Sequence, residues 1–149
     1  MWYVIQVTTG REQEVAEVIR RELPGNLYER CFYIKRERIW RRDEKYILHR
    51  ETMFPGNLFI STNHPKDVYL KLKSIPKFTR FLKNEEEAFL AVNPDEKEFL
   101  ENLLDGDEED TVRLSEVRVD EDKEIISANG PLRHYRKKIV KKKLRLRYV

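Results

Sequence analysis

Apolar positions along this chain recur with two periods, and the switches between them divide it into elements. Trp2-Tyr3-Val4-Ile5-Gln6-Val7 is rich in aromatic and β-branched residues and predicts a strand ending at the turn-prone Thr8-Thr9-Gly10. The period then lengthens. Val15, Val18 and Ile19 share one helical face, Thr9 with Glu12 three residues on reads as a capping box, and Pro24-Gly25 stops the helix. From Leu27 to Ile39 period-two and short-run patterns through Tyr28, Cys31, Tyr33 and Ile34 predict one long strand. Arg41-Arg42-Asp43-Glu44 reads as a hairpin tip, and Tyr46, Ile47 and Leu48 mark the return strand.

The stretch Met53-Phe54-Pro55-Gly56-Asn57-Leu58-Phe59-Ile60-Ser61 is the most informative. Pro55 fixes φ at about −65° and Gly56 tolerates positive φ, so the pair suits the centre of a type II turn. The apolar run after it predicts a strand covered on both faces and central in its sheet. Phe54 and Phe59 flank the turn, and the pattern alone allows either two core rings or an aromatic binding patch.

Asn63 before Pro65 reads as a helix N-cap, with Val68, Leu72 and Ile75 as the buried stripe and Pro76 as the stop. Phe78 to Leu82 predicts a short strand or ordered loop. Asn93-Pro94-Asp95-Glu96 opens a third helix whose apolar face is Phe99, Leu100, Leu103 and Leu104, up to Asp105-Gly106. The order predicts an α+β fold, an antiparallel-dominated sheet with helices packed on it.

Charge changes the picture at the end of the chain. Residues 1–122 carry 20 Lys/Arg against 26 Asp/Glu, a net of −6, whereas 123–149 carry 10 against Glu124 alone, a net of +9. We therefore expect a domain over 1–104, a linker over 105–122 that begins with the solvated run Asp105 to Asp110, and a basic β segment over 123–149. Val112, Leu114, Val117 and Val119 form an extended connector. Three short strands follow, at Ile125-Ile126, Ile139-Val140 and Leu144 to Val149, the first two separated by the turn Asn129-Gly130-Pro131.

Catalytic signals are lacking. His49, His64 and His134 stand apart without metal-ligand spacing, the run Asp105 to Asp110 lacks the spacing of an EF-hand loop, Glu85-Glu86-Glu87 reads as a solvated face, and no Gly-rich phosphate loop or nucleophile-base arrangement occurs. We expect no enzyme, no metal and no cofactor. Cys31 is the single cysteine, so no intrachain disulfide forms, and no apolar run approaches the roughly 18–20 residues that span a bilayer, which suits a cytoplasmic setting and no membrane contact.

The basic tail points to nucleic acid. Arg133, Arg136, Lys137, Lys138, Lys141, Lys142, Lys143, Arg145 and Arg147, interleaved with His134, Tyr135 and Tyr148, combine phosphate-pairing charge with rings able to stack. A second set, Lys35, Arg36, Arg38, Arg41, Arg42 and Lys45, brackets Trp40. It is either a solvated hairpin kept off other edges by its charge or a secondary contact to DNA or RNA.

Together these stretches resemble the NusG family of transcription elongation factors. Trp2 to Val7 with Gly10 is similar to that family's opening strand, Phe54-Pro55-Gly56 with Leu58-Phe59 to its Phe-Pro-Gly signature, and Ile75-Pro76-Lys77-Phe78-Thr79-Arg80-Phe81 to a third motif. Asn129-Gly130-Pro131-Leu132 with Tyr135 and Ile139-Val140 resembles the start of a KOW motif, although His134 and Lys137 stand where Gly is common. The resemblance implies a NusG N-terminal (NGN) domain that docks on the clamp helices of the largest RNA polymerase subunit and bridges the main channel. A linker and a small barrel of five strands would follow, so three strands would leave that barrel incomplete. By position it implies a polymerase-binding set of Trp2, Tyr3, Phe54, Pro55, Gly56, Asn57, Phe59 and Phe81, with Lys71 and Lys73 approaching the opposite side of the channel; Asn57 replaces the usual Tyr. Within the family the chain looks most like the LoaP antiterminator paralogues, which implies recognition of a nascent RNA hairpin through Arg133 to Arg147 and possible DNA contact in the elongation complex. The alternative is a free-standing or ribosome-associated KOW-type RNA-binding module.

Overall fold

A four-stranded antiparallel sheet centres the computed structural model, which describes residues 1–76 and 89–138. β1 (Trp2–Gln6) and β5 (Asn57–Ser61) pair in full register, from Trp2 opposite Ser61 to Gln6 opposite Asn57. β2 (Arg30–Phe32) flanks β5, and β6 (Phe89–Ala91) flanks β1. β5 is thus internal, and Leu58, Phe59, Ile60 and Ser61 are all buried, as its unbroken apolar run predicts.

Successive side chains of a strand point to opposite faces, so the sheet sorts its apolar residues into two cores. Ile5, Val7, Cys31, Leu58 and Ile60 pack on one face against Val15, Ala16 and Ile19 of α1 (Glu12–Glu22) and Val68 and Leu72 of α2 (Pro65–Lys73). On the other face Trp2, Phe32 and Phe59 pack with Ile34, Val92, and Leu100 and Leu104 of α3 (Pro94–Leu104). Each such side chain contributes about 1.5–3 kcal/mol on burial, which is why the sheet needs both helical layers.

The long strand expected over Leu27 to Ile39 is two strands. β2 ends where Phe32 meets Phe59, because β5 begins only two residues earlier, at Asn57. β3 (Lys35–Arg42) then leaves the sheet and pairs with β4 (Lys45–Thr52) as a hairpin. Its tip is narrower than the expected four residues: Asp43 and Glu44 alone turn the chain, with φ of 50° and 63°, the type I′ conformation that matches strand twist. Residues 77–88, with the strand expected at Phe78–Leu82, and residues 139–149, with two expected tail strands, lie outside the described residues. β6 was not anticipated, since three residues carry too little pattern.

The helix starts are mixed. Asn93 caps α3 as expected, accepting from the Asp95 N–H at 2.8 Å with Pro94 in the first turn. Phe99 departs from the expected face and is 46% exposed. For α2 the N-cap is His64, not Asn63, and the His64 N–H is taken by the Thr62 hydroxyl at 2.9 Å.

The acidic run after α3 is tied down, where solvation alone was expected. β7 (Thr111–Val112) adds a parallel strand to β3, and Thr111 is fully buried. The Arg113 guanidinium donates to Asp107 at 2.7 and 3.2 Å, to Glu37 at 3.3 Å and to Glu109 at 3.2 Å. Asp107 also accepts from the N–H groups of Glu109 and Thr111. β8 (Val117–Val119), within the expected connector, pairs with β9 (Ile125–Ala128). Gly130–Lys138, expected to continue as turn and approach to a strand, is instead a 3₁₀ helix kinked at Tyr135.

Two measurements check this packing. Leu58→Ala leaves a void in the first core and is expected to lower unfolding stability by about 2–5 kcal/mol with an unchanged denaturant slope. Burial pushes the Cys31 thiol up to about 12, so a thiol-specific reagent at pH 8 is expected to label the chain only in denaturant.

Candidate functional site

The Phe54-Pro55-Gly56-Asn57 turn is held from beneath by a buried carboxylate. Gly56 has φ of 82° and the Asn57 N–H donates to the Phe54 carbonyl at 3.1 Å, which makes the predicted type II turn. Glu12, 4% exposed, accepts from the Gly56 N–H at 2.6 Å through Oε1 and from the Gly10 N–H at 3.0 Å through Oε2. The Val7 N–H reaches the Gly56 carbonyl at 2.8 Å. Glu12 therefore joins two turns; it does not close the expected capping box, and Arg11 takes the N-cap position without a side-chain bond. The positive end of α1 favours this anion in its first turn. A methyl at Gly56 would stand 3.0 Å from the Val7 carbonyl and 3.2 Å from the Thr9 hydroxyl.

Above this support Pro55 is exposed and Phe54 is half-buried, its ring 6.2 Å from Phe59. Trp2 and Phe59 are 5% and 4% exposed and close into the second core with Phe32, so neither ring offers a surface, contrary to the expectation that they would join an exposed patch. They act as its floor. Tyr3 belongs to the opposite face, stacked on Phe89 at 5.0 Å. Lys71 and Lys73 are exposed on α2, which covers that same opposite face. The structure thus unites Phe54, Pro55, Gly56 and Asn57 over Trp2 and Phe59, and separates them from Tyr3, Lys71 and Lys73. Phe81 lies outside the described residues.

The two basic sets differ in how their charge is used. In the C-terminal 3₁₀ helix, Arg133 forks onto Asp105 at 2.5 and 2.6 Å, and His134 Nε2 lies 3.2 Å from the same carboxylate. These contacts, Arg133 first, hold the Asp105 carboxyl below its ordinary value. Arg136 donates to the Ile125 carbonyl at 2.6 Å, while Lys137 and Lys138 are exposed. Tyr135 packs on Phe99 at 5.1 Å and its hydroxyl accepts from Asn102 at 3.0 Å, which explains why Phe99 faces outward. Sequence reasoning missed this attachment because Phe99 reads as part of the helix's apolar face and Tyr135 belongs to no periodic run. Lys141, Lys142, Lys143, Arg145 and Arg147 lie outside the described residues.

On the hairpin, Arg36 and Arg38 share Glu51 at 2.7 and 3.3 Å, whereas Arg41, Arg42 and Lys45 near the tip make no ion pair among the described residues. Lys35 lies over the Tyr33 ring, and burial lowers its pKa. Trp40 stacks on His49 at 4.0 Å. Among the described residues, no three His, Cys, Asp or Glu side chains converge as metal ligands, and no helix is long and apolar enough to cross a membrane.

Residues 1–101, which include the Phe-Pro-Gly turn and the internal strand it leads into, match a family model described as transcription termination factor nusG. The chain belongs to the NusG family. That family comprises non-enzymatic transcription factors that bind RNA polymerase. No curated protein matches the chain closely enough to count as a relative.

Substitutions test the support. Glu12→Ala leaves two N–H groups without their buried acceptor and is expected to cost about 2–4 kcal/mol of stability in denaturant unfolding. For the acidic turn, Asp107 titrates below its ordinary 3.8 because of Arg113, so its contribution is complete above about pH 4 and is lost as pH falls through the lower folded value. Asp107→Asn is expected to lower stability at pH 7 and to flatten the acid limb of the stability curve.

Proposed function

We propose that this NusG-family chain is a processive antitermination factor of the LoaP kind. It binds the polymerase clamp helices through the Phe54-Pro55 face of its 1–104 domain and a nascent RNA hairpin through its basic 123–149 segment. The observation that carries the reading is the conjunction of a family match over residues 1–101 with a net charge of +9 packed into residues 123–149. An exposed Pro55 and a half-buried Phe54, held rigidly by Glu12 and backed by aromatic core, make a preorganised apolar contact of modest size. The tail supplies phosphate-pairing cations without a catalytic group among them.

The mechanism is an equilibrium shift. A factor that binds both sides of the main channel has higher affinity for the closed clamp, so it lowers the population of open, pause-prone states without forming or breaking a covalent bond. Lys71 and Lys73, on the face opposite Phe54, then reach the second wall. A factor of this kind works in the cytoplasm and needs no cofactor.

Polymerase co-purification and hairpin RNA affinity, measured on the same variants, test the division of labour. Phe54→Asp is expected to abolish polymerase retention and leave RNA affinity within twofold. Replacing Arg145 and Arg147 together by Ser is expected to do the reverse. Loss of both activities in either variant, or of neither in both, overturns the proposal.

A further inference from the structure

The β3–β4 hairpin carries more exposed apolar surface than a solvated ribbon needs. Ile39, Trp40, Tyr46, Ile47 and Leu48 are 48%, 46%, 55%, 46% and 61% exposed, and residues 35–52 hold seven Lys/Arg against four Asp/Glu. Strands of eight residues at about 3.3 Å per residue carry the tip roughly 25 Å from the base. A positive excess, long reach and uncovered rings occur together here, and solvation alone explains none of the rings.

The pairing register sorts these residues by face. Directly opposed residues share a side, so Trp40 and Ile47 lie with Arg38 and His49 below and Arg42 and Lys45 above. The other side presents Ile39 opposite Leu48 and Arg41 opposite Tyr46. The first side is built for a nucleic acid. Trp40 is already braced by His49 at 4.0 Å, which fixes one ring face and leaves the remainder of the indole open, and two cations without ion pairs among the described residues stand at the next position along the ribbon. A flat, held aromatic surface followed by cations is what a base and its phosphate require.

We propose that the Trp40 side of the β3–β4 hairpin is a binding site for single-stranded nucleic acid, with a base stacked on Trp40 and phosphates paired with Arg42 and Lys45. A duplex fits poorly. Its bases are stacked and unavailable to the indole, and a ribbon entering a major groove tip-first would drive Asp43 and Glu44 among the phosphates. A strand lying along the side of the ribbon avoids that tip. Stacking and phosphate pairing do not use the ribose 2′-hydroxyl, so the site takes DNA and RNA strands alike. It is separate in sequence from the C-terminal tail, and the proposal does not depend on how the tail contacts RNA.

The test uses the full 149-residue chain with fluorescein-labelled oligo(dT) and oligo(rU) 15-mers and a 15-base-pair duplex, without polymerase. Trp40→Ala is expected to weaken both single strands by about tenfold and the duplex by less than twofold. Arg42→Ser with Lys45→Ser is expected to weaken the single strands and reduce the slope of affinity against salt. Leu48→Ser, on the opposite side, is expected to leave all three unchanged. Unlabelled strands are expected to quench tryptophan emission in the wild type and not in Trp40→Phe, whose remaining indole, Trp2, is buried. Single-strand affinity indifferent to Trp40→Ala, equal loss with Leu48→Ser, or quenching that survives Trp40→Phe would each overturn the proposal. The tail is identical in every variant, so its binding raises all curves equally and cannot imitate these differences. Failure of the antitermination reading would appear in the polymerase retention experiment and not here.

Discussion

A single buried carboxylate connects the N-terminal strand-helix unit to the turn that precedes the central strand. Glu12 satisfies the N–H groups of Gly10 and Gly56, turns separated by 46 residues of sequence. Without it, the buried Gly56 N–H would lose its acceptor, and the Phe-Pro-Gly turn would lose the contact that fixes its height above the sheet. The β1–β5 pairing begins immediately beyond this point, at Gln6 opposite Asn57, so the same bond helps to set the register that sends Leu58 and Ile60 to one core and Phe59 to the other. Fold and candidate docking face therefore share one anchor.

That sharing explains which parts of the fold and the site were legible in the sequence. Pro55-Gly56 and Asn93-Pro94 act locally: their dihedrals and capping are set within four residues, and both behave as their chemistry predicts. Trp2 and Phe59 were less legible because an aromatic residue near a turn or terminus is compatible with core or surface, and only packing with Phe32 and with Leu100 and Leu104 of α3, all distant in sequence, closes them in. The Thr9–Glu12 spacing was misread for the same reason. A Glu in the first helical turn fits a capping box, but the Gly56 N–H, brought in by the sheet, competes for its oxygen and wins. The break at Tyr33-Ile34 was invisible because the apolar pattern continues through it while the hydrogen-bonding partner changes from β5 to β4.

Charge is handled differently in the two basic regions. In the segment after Gly130, Arg133 and His134 meet Asp105 and Arg136 meets a backbone carbonyl, so part of the positive charge serves to seat the segment against α3. Under the proposed reading, an RNA that engages Arg133 or His134 competes with Asp105 for them. The hairpin tip carries no such internal partner for Arg41, Arg42 or Lys45 among the described residues. Its cations are presented on a braced ribbon and need no rearrangement before contact.

The account turns on which face of the central sheet meets polymerase, and site-specific photocross-linking resolves it directly. A benzophenone amino acid placed at position 54, and in a separate variant at position 71, is irradiated in a complex with RNA polymerase. The account predicts a cross-link from position 54 to the largest subunit, with any product from position 71 on a different subunit. A complex that forms with no cross-link from position 54, or with position 71 alone marking the largest subunit, would contradict it.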